Sequence, residues 1–475
     1  MSFETAKEKV FVSTQEMQKQ NEYIQLVKSI TDNRYPDCSP RAFVHTYGCQ
    51  GNVSDGERLE GMLEEMGYCL TDTLEEADLV LYNTCAIREH AEDRVFGNVG
   101  ALKNMKLAKK EMKILLCGCM MQQEHVAQKI KKSYPFVDIV FGTHVIHRLP
   151  EFLYRNLSTG KKVYELPESD GVIVEELPVH RDSNFKAWLP VMYGCNNFCS
   201  YCVVPYVRGR ERSRDPEIII SEARELIKQG YKDITLLGQN VNSYGKYPDF
   251  GCNFATLLRR INEIEGDFTI RFMTSHPKDC TFELLDTMAE CKKVAKHLHL
   301  PFQSGSNRVL DEMNRRYTRE KYLELLEYAY SVMPDLSVTT DVIVGFPGET
   351  YEEFLETVSL VEKAKFTSMY TFIFSSREGT KASKMPDPIS REEKGKWFKE
   401  LLDVQEKIAA ERTASMVGKT YRVLCESVSK GGLIEGRTEG NIIIEFPAST
   451  DVIGSFRNVS VTESLTWILR GKLID

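Results

Sequence analysis

The stretch LPVMYGCNNFCSYC, residues 189–202, decides how this chain is read. A strand-like run from Leu189 leads through Gly194 into Cys195, Cys199 and Cys202, a C-x3-C-x2-C loop that puts three thiols within eight positions. A four-iron, four-sulfur cluster takes four ligands, so three thiolates leave one iron open, whereas a structural zinc takes four closed positions. A zinc knuckle, or a ferredoxin-like cluster completed elsewhere, remains as the plain alternative. A loop at the carboxyl end of a parallel strand is where β/α folds collect their chemistry.

Downstream of that strand, further strand patterns fall near 233–238, 269–275, 297–302, 337–344 and 368–375, with helical periodicity between them. These six β/α units predict a partial TIM-like barrel. Asp215-Pro216 supplies an N-cap and first-turn pair for the first intervening helix, and Gly230 stands just past its end. A charged amphipathic helix follows over 390–417, opening on the capping sequence SREE. Beyond Lys419 the pattern changes to period-two strands at 421–426, 442–446 and 458–463, which predicts a small β-barrel. Upstream, apolar runs at 42–46, 79–83, 113–117 and 139–141 alternate with amphipathic stretches, the pattern of a parallel α/β sheet. The expected organisation of this α/β chain is an N-terminal extension (1–40), an α/β domain (41–150), a linker (151–187), the barrel (188–412) and the C-terminal barrel (413–475).

The 475 residues carry 61 Lys and Arg against 69 Asp and Glu, a net charge of −8, which argues against a uniformly basic nucleic-acid coat but leaves local patches open. No apolar run approaches the ~20 residues needed to span a bilayer, and the opening MSFETAKEKV mixes acids with bases where an export signal has an apolar block. Thirteen cysteines, an odd number, without an export signal suit thiolate ligands in a reducing compartment. A cytoplasmic protein with no membrane contact is expected.

A second cysteine set is dispersed. Cys49, Cys85 and Cys119 are each more than thirty residues from the next, yet each lies at or just past the carboxyl end of a strand pattern (FVHTYGC, LVLYNTC, ILLCGC). In a parallel sheet all such ends open on one edge. Any one of them is equally a small buried hydrophobe; their shared placement singles them out. Cys69, which follows a helix, and Cys117, one pleat deeper than Cys119, read as packing residues.

The segments YGCQGN, YNTCAIRE, CGCMMQ, GCNNFCSYCVVPYVRGRERSR, LLGQNVNSYG, RFMTSHP, HLPFQSGSNRVLDEMNRRY and DVIVGFPGET resemble the radical S-adenosylmethionine methylthiotransferases, and the tail is similar to a TRAM domain. The resemblance covers about residues 40 to 475 and is greatest to the branch acting on isopentenyladenosine in tRNA. The branches acting on a ribosomal protein and on threonylcarbamoyl-adenosine are less similar. The resemblance implies a cofactor-binding 4Fe-4S cluster on Cys195, Cys199 and Cys202, an auxiliary one on Cys49, Cys85 and Cys119, and two molecules of S-adenosylmethionine. It implies as substrate a tRNA anticodon stem-loop carrying isopentenyladenosine. A flavodoxin- or ferredoxin-type reductant and a monomer are expected. The two open irons must then share a cavity, with the carboxyl edge of the first domain over the barrel mouth.

Candidate cofactor contacts are Tyr201 in the loop, Gly238, Gln239 and Asn240 after the second barrel strand, Thr274 and Ser275 after the third, Gln303 after the fourth, and Gly345 in the GFPG turn after the fifth. Taken alone Gly345 is better read as a plain strand-to-helix turn and only its context raises it, and a capped helix start accounts equally for Gln303. Arg208, Arg210, Arg214, Arg315 and Arg316 are candidate RNA contacts, because arginine at a cavity mouth suits phosphate. The Lys103 to Lys113 run reads as a solvated helix face. From Thr413 on, seven basic residues balance seven acidic ones, so an RNA role for the tail rests on the TRAM resemblance. The rival from another class is a non-enzymatic iron-sulfur RNA sensor; an electron-transfer protein would need no such barrel.

Overall fold

The computed structural model describes residues 10–86, 89–167 and 169–474. The first nine residues, where the export-signal reading falls, and Ile87 and Arg88 of the YNTCAIRE motif lie outside the described residues.

Strands β1 (Arg41–Thr46), β2 (Cys69–Leu70), β3 (Leu79–Thr84), β4 (Lys113–Gly118), β5 (Ile139–Phe141) and β6 (Val163–Glu165) form one parallel sheet in the order β2-β1-β3-β4-β5-β6. Every residue of β3 is buried, as a strand covered on both faces must be. Period-two alternation splits its side chains: Leu79 and Leu81 join Leu59, Leu63 and Leu115 on one face, while Val80 and Tyr82 join Val95, Val99 and Ile114 on the other. Cys117 points with Leu115 into the first layer, and Cys69 pairs with Arg41 at the amino end of β1.

Two segments outside the expected domain complete this unit. Helix Thr14–Arg34 buries Ile24 and Val27 in the same layer, and its Gln20 Nε2 donates to Glu151 of helix Leu149–Thr159 at 3.4 Å. β6, inside the segment expected as a linker, pairs with β5. Both escape a sequence reading because an edge strand of three residues and a mostly polar helix carry little periodic signal.

β7 (Lys186–Pro190) starts the second unit three residues earlier than expected. The chain then makes a short antiparallel ladder, β8 (Met192–Tyr193) with β9 (Arg212–Ser213), which closes the base of the cysteine loop. β10 (Asp233–Leu237) and β11 (Thr269–Phe272) continue from β7 in one parallel sheet, and β12 (His297–His299), β13 (Ser337–Val344) and β14 (Ser368–Ile373) make another. Ile270 joins them, its N donating to Lys293 O and its O accepting from Ala295 N, at 2.7 and 2.9 Å. The six strands thus form an open barrel with helices outside, as expected.

The C-terminal barrel closes from β15 (Thr420–Val428), β16 (Ile434–Thr438), β17 (Ile443–Phe446), β18 (Phe456–Ser464) and β19 (Ile468–Leu473), two strands more than the periodicity reveals. Its β16–β17 turn sits under the large barrel: Arg271, ion-paired to Asp233 at 2.7 Å, donates to the carbonyls of Thr438 and Glu439, and Gly440 lies against Ser337 at the start of β13. The opposite, carboxyl mouth is left to the first domain. Among the described residues no helix is long and apolar enough to cross a membrane.

Candidate active site between the first sheet and the barrel mouth

Three cysteines of the first domain meet at its carboxyl edge. Cys49 is the N-cap of helix Gln50–Glu65, directly after β1; Cys85 and Cys119 follow β3 and β4. Asn52, one helical turn past Cys49, ties them together: its Oδ1 lies 3.3 Å from Cys49 Sγ and 3.8 Å from Cys119 Sγ, while its Nδ2 donates to Thr84 O at 2.9 Å. Gly48, at φ +115°, brings the chain so close to Cys85 that a β-carbon there would stand 2.6 Å from its sulfur. Cys85 and Cys119 are buried and Cys49 is exposed, so the set has one open side. Among the described residues no set of three or more His, Cys, Asp or Glu side chains is gathered tightly enough to hold a metal ion, so what groups the three thiols is the shared sheet edge and their contacts with Asn52 and Gly48. Burial, and the neighbouring Cys49 and Cys85, push the Cys119 thiol up to about 12, with Arg208 opposing.

The second triad sits on the loop between β8 and β9. Its backbone is held from several sides: Cys195 N donates to Gly209 O, Ser200 N to Met313 O, and Ala382 N to Ser200 O. Asn314 Nδ2 donates to the carbonyls of Asn197 and Phe198 at 3.1 and 2.9 Å. Arg315, buried, reaches Cys199 Sγ at 3.6 Å and donates to Pro301 O at 2.6 Å. Burial is the main cause that raises the Cys195 thiol to about 12 and the Cys202 thiol further still. Thiols raised as far as those of Cys195 and Cys202 ionise only beside strong positive charge, which cluster irons would provide.

The two sets face each other. Ala86 and Cys119 of the first domain pack with Val203 and Val207, just after Cys202, in one apolar cluster. A β-carbon on Gly51 would lie 3.7 Å from Cys49 Sγ and 3.6 Å from Gln239 Nε2 at the barrel mouth. Gln239 Oε1 in turn accepts from Gly194 N. The expected juxtaposition of the first domain's carboxyl edge and the barrel mouth is thus the observed one.

Around the mouth, Asn240 Oδ1, Ser275 Oγ and Ser200 Oγ are buried with no hydrogen-bond partner among the described residues. Unpartnered buried polar atoms are costly, and a polar cofactor in the cleft would satisfy them. Thr274 and Gln303 both sit at φ +70°, and Gln303 is bridged to β13, its N donating to Asp341 O and its O accepting from Ile343 N, both at 3.0 Å. Gly238 is packed tightly on Met192. Gly345 N and Phe346 N both donate to Glu349 Oε2, at 2.7 and 3.1 Å, fixing the GFPG turn, and burial lifts the Glu349 carboxyl to about 7. Tyr201 packs beside Met313 and Phe346.

The arginines divide. Arg208, Arg214 and Arg315 are 6%, 2% and 4% exposed, so the expectation that they face RNA is corrected. Arg214 chelates Glu175 and Glu222, and Arg208 pairs with Asp55 at 2.7 Å. Arg210 remains on the surface, stacked over Phe198 at 4.3 Å, with exposed Tyr206 against the same ring. Arg316 donates to its neighbour Asn314.

The full-length comparison decides the family. Over 470 residues, 98% of each chain, this sequence is 48% identical to the tRNA-2-methylthio-N(6)-dimethylallyladenosine synthase of Thermoanaerobacter sp. (strain X514). It is 50% identical over 430 residues to the synthase of Caldicellulosiruptor saccharolyticus, covering 90% of this chain and 91% of that one. The chain belongs to this synthase family. Its segments match the radical SAM superfamily over residues 189–361, the uncharacterized protein family UPF0004 over 41–142, and the TRAM domain over 414–474. The radical S-adenosylmethionine methyltransferase TsrM from Kitasatospora setae, solved with cobalamin and a [4Fe-4S] cluster, shares the fold at a TM-score of 0.53 and 15% identity, over 73% of this chain and 77% of that one. As a member of the synthase family the chain is an enzyme whose cofactors are S-adenosylmethionine and 4Fe-4S clusters.

Sequence reasoning missed Asn52, Asp55 and Glu349. The first two stand three and six positions after Cys49, on the helix face that Cys49 caps, a periodicity that could have flagged them. Glu349 lies four residues past Gly345, and nothing local marks it.

Proposed function

We propose that this enzyme inserts a sulfur atom and a methyl group at C2 of N(6)-isopentenyladenosine in the anticodon stem-loop of tRNA. What carries the proposal is the full-length likeness to synthases named for that product, together with two cysteine triads brought face to face across one interface. The bound cofactors supply hydrogen abstraction from an unactivated carbon, the sulfur and the methyl group.

The chain's own residues do the rest. Cys195, Cys199 and Cys202 hold one cluster and Cys49, Cys85 and Cys119 the other, each leaving one iron without a protein ligand. Asn240, Thr274, Ser275 and Gln303 orient the sulfonium cofactor, with Gly345 kept in place by Glu349. The apolar contact of Ala86 and Cys119 with Val203 and Val207 keeps water from the space between the triads. Arg210, Phe198 and Tyr206 offer a cation and two aromatic faces at the mouth, a suitable platform for an extruded base and its phosphate. The C-terminal barrel holds more distant RNA. A flavodoxin- or ferredoxin-type protein delivers the electrons, and the enzyme works as a monomer in the cytoplasm.

The test is anaerobic. After cluster reconstitution about eight irons per chain are expected, and reductant, S-adenosylmethionine and isopentenylated tRNA then give a methylthio-adenosine by mass spectrometry together with 5′-deoxyadenosine. Cofactor cleavage with unmodified tRNA would overturn the substrate, and neither product in a fully loaded protein would overturn the reaction.

A further inference from the structure

Arg208 ends helix Val204–Arg208, six positions after Cys202, yet its side chain leaves the barrel domain. All three guanidinium nitrogens are engaged in the first domain: Nε donates to Cys119 Sγ at 3.1 Å, Nη2 to Asn52 Oδ1 at 3.3 Å, and Nη1 meets Asp55 Oδ2 at 2.7 Å. The Arg208 and Asp55 side chains are both 7% exposed.

We propose that Arg208 is a positioning residue for the auxiliary cluster across the domain boundary, donating a hydrogen bond to the Cys119 sulfur and thereby setting that cluster's reduction potential. The proposal rests on the reading that Cys49, Cys85 and Cys119 hold a cluster. Burying a guanidinium is costly unless it is paired, and Asp55 supplies the counter-charge. The pair is neutral overall, so what reaches Cys119 is a directed N–H rather than a bare positive charge. A hydrogen bond to a cluster sulfur withdraws electron density and favours the reduced state, and such partners also secure their ligands. Only a planar fork reaches a carboxylate, an amide oxygen and a sulfur at once; a lysine ammonium holds the charge at a single point. Since the same short segment carries Cys202 and Arg208, the barrel loop that binds one cluster also adjusts the other.

The test uses the full chain with Cys195, Cys199 and Cys202 all changed to Ala, so that the auxiliary cluster is observed alone by iron count and by EPR-monitored redox titration. If that background binds no four-iron cluster, the underlying assignment of the three cysteines fails, and the proposal with it. If it does, Arg208→Lys and Arg208→Gln are expected to bind iron but to disfavour the reduced state about tenfold, equal to about 59 mV toward negative potential for one electron. Asp55→Asn, which leaves the guanidinium uncompensated beside Cys119, is expected to move the potential the other way. A merely structural role would lower iron content in all three variants without shifting the potential of the clusters that form. That result, or unchanged potentials at full iron content, would overturn the proposal.

Discussion

Gly48→Ala tests the auxiliary site at its tightest point. Gly48 has φ +115°, and an added β-carbon would stand 2.6 Å from Cys85 Sγ. An L-residue held in that backbone region costs about 1–3 kcal/mol. Relieving the contact needs nearly an ångström of movement by a buried side chain, and overpacking of this kind costs about 1–3 kcal/mol more. The sum is a large share of the ~5–15 kcal/mol that holds a domain folded, and Cys85 is the group that must move. The variant is expected to retain the barrel cluster and cofactor cleavage while iron after anaerobic reconstitution falls from about eight to about four per chain and methylthio product is lost. Iron and product at the level of the unaltered enzyme would refute the reasoning, because Cys85 could then be neither so confined nor a required ligand.

The remaining predictions concern ligand choice, acid stability and RNA. Cys119→Ala should lose the auxiliary iron, whereas Cys117→Ala should keep it and cost about 1 kcal/mol of stability as a small core truncation, since Cys117 packs among Leu59, Leu115 and Phe141; iron analysis and urea titration of both variants check this. Burial holds His147 at about 4, below its ordinary 6.5, so the native state takes up its proton later than the unfolded chain and stability falls as the pH drops from 6.5 towards 4. The loss approaches about 3 kcal/mol at the acid end of that window, and His147→Gln should show a smaller acid shift of its urea midpoint than the unaltered protein. Arg210→Ala should weaken tRNA binding several-fold and reduce the salt dependence of log K by about one phosphate contact, while Arg208→Lys leaves that slope unchanged; filter binding at several salt concentrations separates them.

Local spacing was enough for the C-x3-C-x2-C loop, because ligands within eight positions need no knowledge of the fold to be grouped. Alternating apolar runs were enough for β1, β3, β4 and β5 of the first sheet and for the six barrel strands, since buried parallel strands are continuous and hydrophobic. Cys49, Cys85 and Cys119 could be grouped from sequence only by the rule that parallel strand ends share an edge. Tertiary structure decided the rest. β6 and helix Thr14–Arg34 belong to the first domain because long-range pairing and packing recruit them, although β6 is only three residues long and the helix is mostly polar. β16 and β19 were hidden for a similar reason: a small barrel closes by hydrogen-bonded neighbours, and short strands with glycines at Gly436 and Gly471 break the alternation. Sequence gave Arg208, Arg214 and Arg315 a positive charge beside a loop but no direction for it. Whether a guanidinium meets a phosphate outside, a carboxylate such as Glu175, or the sulfur of Cys119 depends on which chain segments fold over it, and those lie as much as 156 residues away in sequence, as Asn52 does from Arg208.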